Sequence, residues 1–228
     1  MQPYFFPHIG YFQLVNAVDH FIFYDDVNYI KRGWINRNRI LLNGEDVLIT
    51  VPLIKASQNK LIKEIDVFFD QKMKDKLIFT IEGAYSKAPY YSEVEGLIKE
   101  IIYADITNIS EYSANSVISL SNYLEVDTSF EFSSGISPES KGLPRADRLI
   151  SISKDLQADQ YINSIGGQAL YEKEYFQSKG IHLSFLDSYP EPYAQFNGEF
   201  VSDLSIIDVL VFNNKTVVME FLNKYKLV

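Results

Sequence analysis

Apolar and polar residues change period several times along the chain, and each change marks an element. Residues 1–7 (MQPYFFP) are short and apolar and predict a first strand, cut close by the start of the chain. Gly10 follows, and residues 11–18 place apolar side chains at helical spacing. Residues 19–24 predict a second strand ending on Asp25 and Asp26. Strand, glycine-containing turn, helix and strand spell a parallel crossover, which should be right-handed. The stretch 40–53 sets Asn43-Gly44 between two apolar runs, the strongest short-range hairpin signal. Residues 65–68 are expected to extend that hairpin. Three helical stretches follow, at 72–85, from the capping-box spacing of Ser92-Glu93-Val94-Glu95 to about 103, and at 110–124. The second half alternates: strand 128–132, helix 145–156, strand 160–163, helix 168–179 stopped by Gly180, and strand 181–185. Between them, 133–144 is rich in Ser, Gly and Pro and is expected to be mobile. Residues 205–210 form a capped, buried helix with Asp208 in its first turn, a position that suits a partner of the helix dipole.

This order defines the expected fold class: α/β, with a mostly parallel sheet flanked by helices (nucleotide-binding-like). It carries an inserted antiparallel β-hairpin over about 28–70 and a helical middle segment over about 71–125. A single domain over 1–228 is the simplest account, since a chain of this size hides roughly 70% of its surface on folding.

Composition narrows the chemistry. The chain has no Cys, which excludes disulfides, thiolate metal sites and a cysteine nucleophile. Three His make a rich imidazole metal cage unexpected, and no metal site is assigned. A net charge of −9 disfavours general affinity for nucleic acid. No stretch reaches the roughly 20 apolar residues of a spanning helix, and the start lacks the basic and apolar regions of a signal peptide. A soluble cytoplasmic protein is therefore expected. The 16 Tyr and 16 Phe fit either a wet, half-apolar pocket or plain core filling.

Three places could carry chemistry. In Phe6-Pro7-His8-Ile9-Gly10-Tyr11, Gly10 opens the first helix, whose N-terminus favours an anion such as phosphate. A His-x-Gly turn at this point also resembles nucleotidyl-transfer enzymes, although their usual second His is Tyr11 here. A tight turn needing Gly10 for its backbone explains the same residues. The run from Tyr24 to Arg39 gathers Asp25, Asp26, Lys31, Arg32, Trp34, Asn36, Arg37, Asn38 and Arg39 in an otherwise acidic chain. Its guanidinium groups suit a phosphate or carboxylate. Asp25 and Asp26 stand where open α/β sheets bind ligands, and Asp25 could take a proton from an amine or bind a sugar hydroxyl or Mg²⁺. The competing account is an exposed arm laced with ion pairs. Finally, Gly166-Gly167 opens a helix after a strand, as a phosphate cradle or a turn requiring positive φ, and Tyr193 and Gln195 mix aromatic and amide groups.

These strings resemble the WbqC-like protein family. The resemblance rests on Gln2-Pro3-Tyr4-Phe5-Phe6-Pro7 with Gly10-Tyr11-Phe12, on Tyr24-Asp25-Asp26-Val27, and on Trp34-Ile35-Asn36-Arg37-Asn38-Arg39-Ile40. Leu48-Ile49-Thr50-Val51-Pro52-Leu53, Gly166-Gly167, Tyr193 with Gln195, and Ser205-Ile206-Ile207-Asp208 add to it. Position 8 is usually aromatic in such proteins and is His here. The resemblance implies a transferase of O-antigen and related surface polysaccharide biosynthesis. It would be an acyltransferase attaching a glycyl or other acyl group to the amine of a nucleotide-linked amino sugar.

On that reading Asp25, Asp26, His8 and Lys31 form the candidate catalytic set, with an aspartate deprotonating the sugar ammonium. Gln2, Gly10, Tyr11, Arg32, Trp34, Asn36, Arg37, Asn38, Gly166, Gly167, Tyr193 and Gln195 form the candidate substrate-binding set. The donor would be an adenylate or a thioester on an acyl-carrier protein, attacked directly. A second reading is a nucleotidyltransferase-like enzyme or ATP-dependent amide ligase using ATP and Mg²⁺ at His8-Ile9-Gly10. A third is a non-catalytic carbohydrate-binding module.

Overall fold

Why the hairpin forms where it does is visible in two dihedral angles. In a computed structural model describing residues 1–189, 191–196 and 198–228, Asn43 and Gly44 have φ of 54° and 84°. Both central residues of a type I′ turn must be left-handed, and Asn-Gly supplies this at least strain. The turn joins β2 (Arg37–Leu42) to β3 (Glu45–Thr50), paired antiparallel with Ile40 opposite Val47. The expected extension at 65–68 reduces to isolated pairs, Leu53 with Val67 and Asp66 with Asn108.

At the N-terminal end, α1 (Ile9–Asn16) leads into β1 (His20–Phe23). The middle segment is α2 (Gln71–Tyr85), α3 (Tyr91–Tyr103) and α4 (Ile109–Tyr123). Asp70 caps α2 by accepting from the Met73 amide at 2.8 Å, and Asn108 caps α4 by accepting from Ser110 at 2.9 Å. The capping-box residues at Ser92 are not used as such: α3 begins one residue earlier, and its N-cap, Tyr90, makes no side-chain bond. The buried faces of these helices (Ile81, Tyr85, Val94, Ile98, Tyr112, Val117) join the main apolar core.

The second half runs β4 (Ser129–Phe132), α5 (Ser133–Ile136), α6 (Arg145–Asp155), β5 (Gln160–Ser164), α7 (Lys173–Ser178) and β6 (His182–Ser188). It ends with α8 (Ile206–Phe212), α9 (Lys215–Phe221) and β7 (Tyr225–Leu227). The expected helix 168–179 divides into a 3-10 turn at Ile165–Leu170 and α7. Gly180, at φ 83°, follows α7 as expected of a helix stop. The segment 133–144, expected to be mobile, instead holds α5 and a 3-10 turn at Pro138–Ser140, with Ser133, Ser137 and Ser140 buried.

The α/β class holds, but the large parallel sheet does not form. β1 pairs in parallel with β4; β5 pairs in parallel with β6, which pairs antiparallel with β7. With the hairpin these make three small sheets among the described residues, and a nucleotide-binding-like architecture is not established. The cause is local. Residues 1–7 are not a strand, because Pro3 and Pro7 have no N–H to give and Phe6 turns left-handed at φ 43°. Met1 alone pairs, donating from its amine to Ile22 O at 2.8 Å and accepting from the Tyr24 amide at 2.7 Å.

Candidate functional site

β1 and β4 end side by side, so Asp25 and Asp26 meet the residues that start α5. Ser133 Oγ donates to Asp25 Oδ1 at 3.0 Å and lies 2.5 Å from Asp26 Oδ1. The Ser134 amide reaches Asp25 Oδ1 at 3.0 Å, and its hydroxyl donates to Asp25 Oδ2 at 2.7 Å. From α6, Arg148 Nη2 donates to Asp26 Oδ1 at 2.5 Å, while its guanidinium lies 4.5 Å from the centre of the Tyr24 ring. Asp25, Asp26 and Arg148 are all buried. Burial pushes the Asp26 pKa up, but bonds from Ser133 and Arg148 and the Arg148 charge outweigh it and hold the carboxyl below its usual range. A carboxylate so held is a weak base, and Asp25 accepts through both of its oxygens and Asp26 through Oδ1.

The basic run is tied to two other segments through its backbone. The Phe5 amide donates to Trp34 O, and the Ser205 amide to Arg39 O. Trp34, 37% exposed, has two guanidinium groups near its ring, 5.8 Å away for Arg37 and 5.5 Å for Arg39. Arg37 donates from Nε to Gly33 O at 3.0 Å and from Nη2 to Arg32 O. Arg39 pairs with Asp46 at 3.2 Å and donates to Asp203 O at 3.2 Å, while its Nε is buried without a partner. Lys31 and Arg32 are exposed. The two asparagines are committed inside. Asn36 accepts from the Tyr29 hydroxyl and donates to Val51 O, and Asn38 donates to Phe5 O and Phe6 O, clamping the left-handed Phe6.

At the start of α1, His8 is the N-cap, and its Nδ1 accepts from the Gly10 amide at 3.1 Å. That leaves Nε2 for other use. One edge of the ring is open to solvent, yet desolvation by the surrounding wall lowers its pKa. Asp203 opposes this and Arg39 adds to it, so the imidazole is neutral at pH 7. His8 borders a cavity of about 130 Å³ that Gln13, Ser188, Tyr193 and Asp203 also line. Gly10 allows close approach: a Cβ there would stand 2.9 Å from His8 Cε1 and 3.0 Å from Ser188 Oγ, so a larger residue would displace those side chains. Ser188 ends β6, so the first helix begins beside the end of a parallel strand.

Gly166 and Gly167 follow the end of β5 in the 3-10 turn, and neither has positive φ. Gly167 packs against Asn163, whose Nδ2 would lie 2.6 Å from a Cβ, while Gly166 faces open space. Tyr11 is buried, its hydroxyl donating to Gln2 O at 2.8 Å. Tyr193 and Gln195 also point inward. The Tyr193 hydroxyl and Gln195 Nε2 each donate to Asp208 Oδ1 at 2.6 Å, and the Tyr85 hydroxyl donates to Oδ2 at 2.8 Å. Burial raises the Asp208 pKa despite these three bonds. Asp208 is thus a buried hub joining α2, α8, Tyr193 and Gln195, a role larger than its place in the first turn suggested.

The structure therefore brings His8, Gly10 and Ser188 together, with Asp203 lining the same cavity and the Arg39 charge acting on His8, and sets Asp25 and Asp26 apart in their own network. Sequence reasoning missed Arg148, Ser133, Ser188 and Asp203. Arg148 left a signal: it falls on the apolar phase of α6 with Leu149 and Ile152, where a charge demands a buried partner. Among the described residues, no group of three His, Asp or Glu could hold a metal ion, and no helix is long and apolar enough to cross a membrane.

The architecture defines an α/β protein whose site candidates gather at strand ends. Compared with known proteins, residues 2–219 match the WbqC-like protein family, and the chain belongs to that family. It is similar to the uncharacterized protein Rv1507c of Mycobacterium tuberculosis, 27% identical over 229 residues covering 92% of this chain and 90% of that one. No solved structure gives a significant match.

Proposed function

We propose that the chain is a transferase of surface polysaccharide biosynthesis that joins an acyl or aminoacyl group to the amine of a nucleotide-linked amino sugar. One observation supports it most: a neutral His8 with a free Nε2 lies within the field of Arg39 and Asp203, and the Arg39 guanidinium is 5.5 Å from the Trp34 ring. Arg37 and Arg39 would attract the diphosphate, and Trp34 would give a stacking surface. His8 Nε2 would take the proton lost as the sugar nitrogen attacks the activated carbonyl. The C–N bond forms, the bond from carbonyl to thiol or phosphate breaks, and the leaving group departs with its electron pair. His8 replaces Asp25 and Asp26 as the favoured base, since its Nε2 is free, Asp25 is bonded through both oxygens and the lowered pKa of Asp26 makes it a weak base.

The reading is tested by incubating folded protein with amino-sugar nucleotides and with acyl adenylates or acyl-carrier thioesters, and following amide product by mass spectrometry. Amide formed from an amino sugar supports it; a broad panel without product, with folding intact, removes it. His8→Asn is expected to lower turnover by about 10²–10⁴-fold. Asn is as good an N-cap, so thermal stability should move little. Full activity in His8→Asn would end the role of the imidazole.

A second reading, nucleotidyl transfer, is favoured by the same His8 cap at the head of α1. It predicts pyrophosphate release from ATP or CTP in place of amide formation, which the same incubations distinguish.

A further inference from the structure

α1 buries Tyr11, Phe12, Gln13, Leu14 and Val15 in one unbroken run, and only Gln13 among them carries an amide. The Gln13 side chain is fully buried. Its Nε2 donates to Phe221 O at 2.8 Å and to Lys224 O at 3.1 Å, at the end of α9 and just before β7. Carbonyls accept and cannot donate, so the amide has one orientation and Oε1 is kept off these partners. That oxygen is buried without a hydrogen bond. An acceptor left in this state costs free energy that a donor on a ligand would recover.

Gln13 lines the cavity of about 130 Å³ beside His8. With Nε2 engaged, Oε1 is the amide atom left for an occupant. The other lining groups set the charge of that occupant. Asp203 and Glu191 bring carboxylates, and Tyr193, Phe200 and Phe221 bring aromatic rings. The Tyr193 ring centre lies 5.1 Å from that of Phe200 and 6.2 Å from that of Phe221. Two cations stand nearby. Lys224 pairs with Glu191 at 3.0 Å, and Arg39 pairs with Asp46 at 3.2 Å while donating to the Asp203 carbonyl. The Asp203 carboxylate accepts from the Ser202 hydroxyl at 2.8 Å and forms no ion pair among the described residues. Aromatic rings, an uncompensated carboxylate and an unpaired acceptor favour a cation bearing N–H groups over an anion. Space adds a limit. Liquid water would put about four molecules in this volume. An ammonium on a short stem enters whole, whereas a sugar ring would present its amine from outside.

We propose that this cavity is a subsite for a primary ammonium group, with Gln13 Oε1 as its fixed acceptor and Asp203 as its counter-charge. The subsite deepens the proposed transfer and rests on that reading for the source of the amine, either the amino sugar or an aminoacyl donor.

The test is binding, read by NMR titration of the isotope-labelled full chain with ethylammonium chloride, against ethanol and sodium acetate as neutral and anionic controls. Ethylammonium is expected to bind with a millimolar Kd, at least about tenfold tighter than either control, and to shift the amide signals of residues 13, 188 and 203. Gln13→Met keeps the length of the side chain and removes the acceptor, and should weaken binding about tenfold or more. Asp203→Asn should weaken it about threefold, the smaller effect of an exposed charge. Asn tolerates the left-handed φ of 57° at that position, so this variant stays folded if Gln13→Met, which also strands two carbonyls, does not. Glycinamide and glucosamine 1-phosphate separate the two sources: the tighter ligand carries the amine that the subsite receives. Ethanol binding as tightly as ethylammonium, or an unchanged Kd in Asp203→Asn, overturns the proposal. No turnover enters the measurement. Ethylammonium binding with no amide product from any donor keeps the subsite and removes the transfer; amide product without ethylammonium binding does the reverse.

Discussion

Arg148→Ala should lower stability by about 3–5 kcal/mol, because it leaves the Asp26 carboxylate buried without its counter-charge. For a chain of this size that is a fall in Tm on the order of 10 °C. Arg148 also stacks on Tyr24 and leans on the elements that follow β4, so its loss should loosen α5 and the β1–β4 pair together. Asp26→Asn strands the buried Arg148 guanidinium in its turn and is expected to cost a comparable amount, whereas the double variant Arg148→Met/Asp26→Asn, which removes both charges, should cost less than either. The comparison is made by thermal or urea unfolding of these variants; Arg148→Ala within 1 kcal/mol of wild type would show that the network carries little. Acid provides an independent reading. The folded pKa of Asp26 lies below its unfolded value, so its contribution is present above the ordinary carboxylate range, near pH 4, and is lost as pH falls below that range through the lower folded value. Wild-type Tm should therefore drop more steeply on acidification than that of Asp26→Asn.

Asp208→Ala should be equally damaging, by a different route. It orphans three donors in the core: the hydroxyls of Tyr85 and Tyr193 and the amide of Gln195. Each unsatisfied buried donor costs about 1–3 kcal/mol. The Tyr85 hydroxyl already accepts from the Leu41 amide, so it cannot turn to a new acceptor without breaking that bond. Urea midpoints report the loss. Limited proteolysis should report its place, since this carboxylate ties Tyr193 and Gln195 to α8. A loss under 1 kcal/mol would mean that the donors find other partners. The pH signature is opposite to that of Asp26. Burial raises the folded pKa of Asp208, so its contribution favours the fold below the ordinary carboxylate range and is lost as pH rises through the raised value. Asp208→Asn should flatten that part of the stability profile.

Local chemistry made most elements legible. Asn43-Gly44 fixed the hairpin turn, and the helical period of residues 72–85 and 110–124 fell within a residue of α2 and α4. What failed depended on distant partners. Nothing near Met1–Pro7 announces that Asn38 will grip Phe5 and Phe6 and turn that segment out of a strand. Nothing in Ser133-Ser134 announces Asp25, whose hydrogen-bond partner Ser133 lies 108 positions away. The basic run was visible as composition, but its side chains divide between Trp34, backbone carbonyls and Asp46, which only coordinates reveal. Asn36 and Asn38 looked like substrate ligands because an amide reads the same whether it faces a sugar or a neighbouring carbonyl.

The pairing of β1 with β4 also constrains how the protein is made. A ribosome adding roughly 5–20 residues per second needs about 5–20 s to pass from Asp25 to Ser133. During that interval the nascent N-terminal segment has an open strand edge and two unneutralised acids. Chaperone dependence should therefore be concentrated in synthesis of the middle helices, and synonymous codons that slow translation there should lower the yield of folded protein.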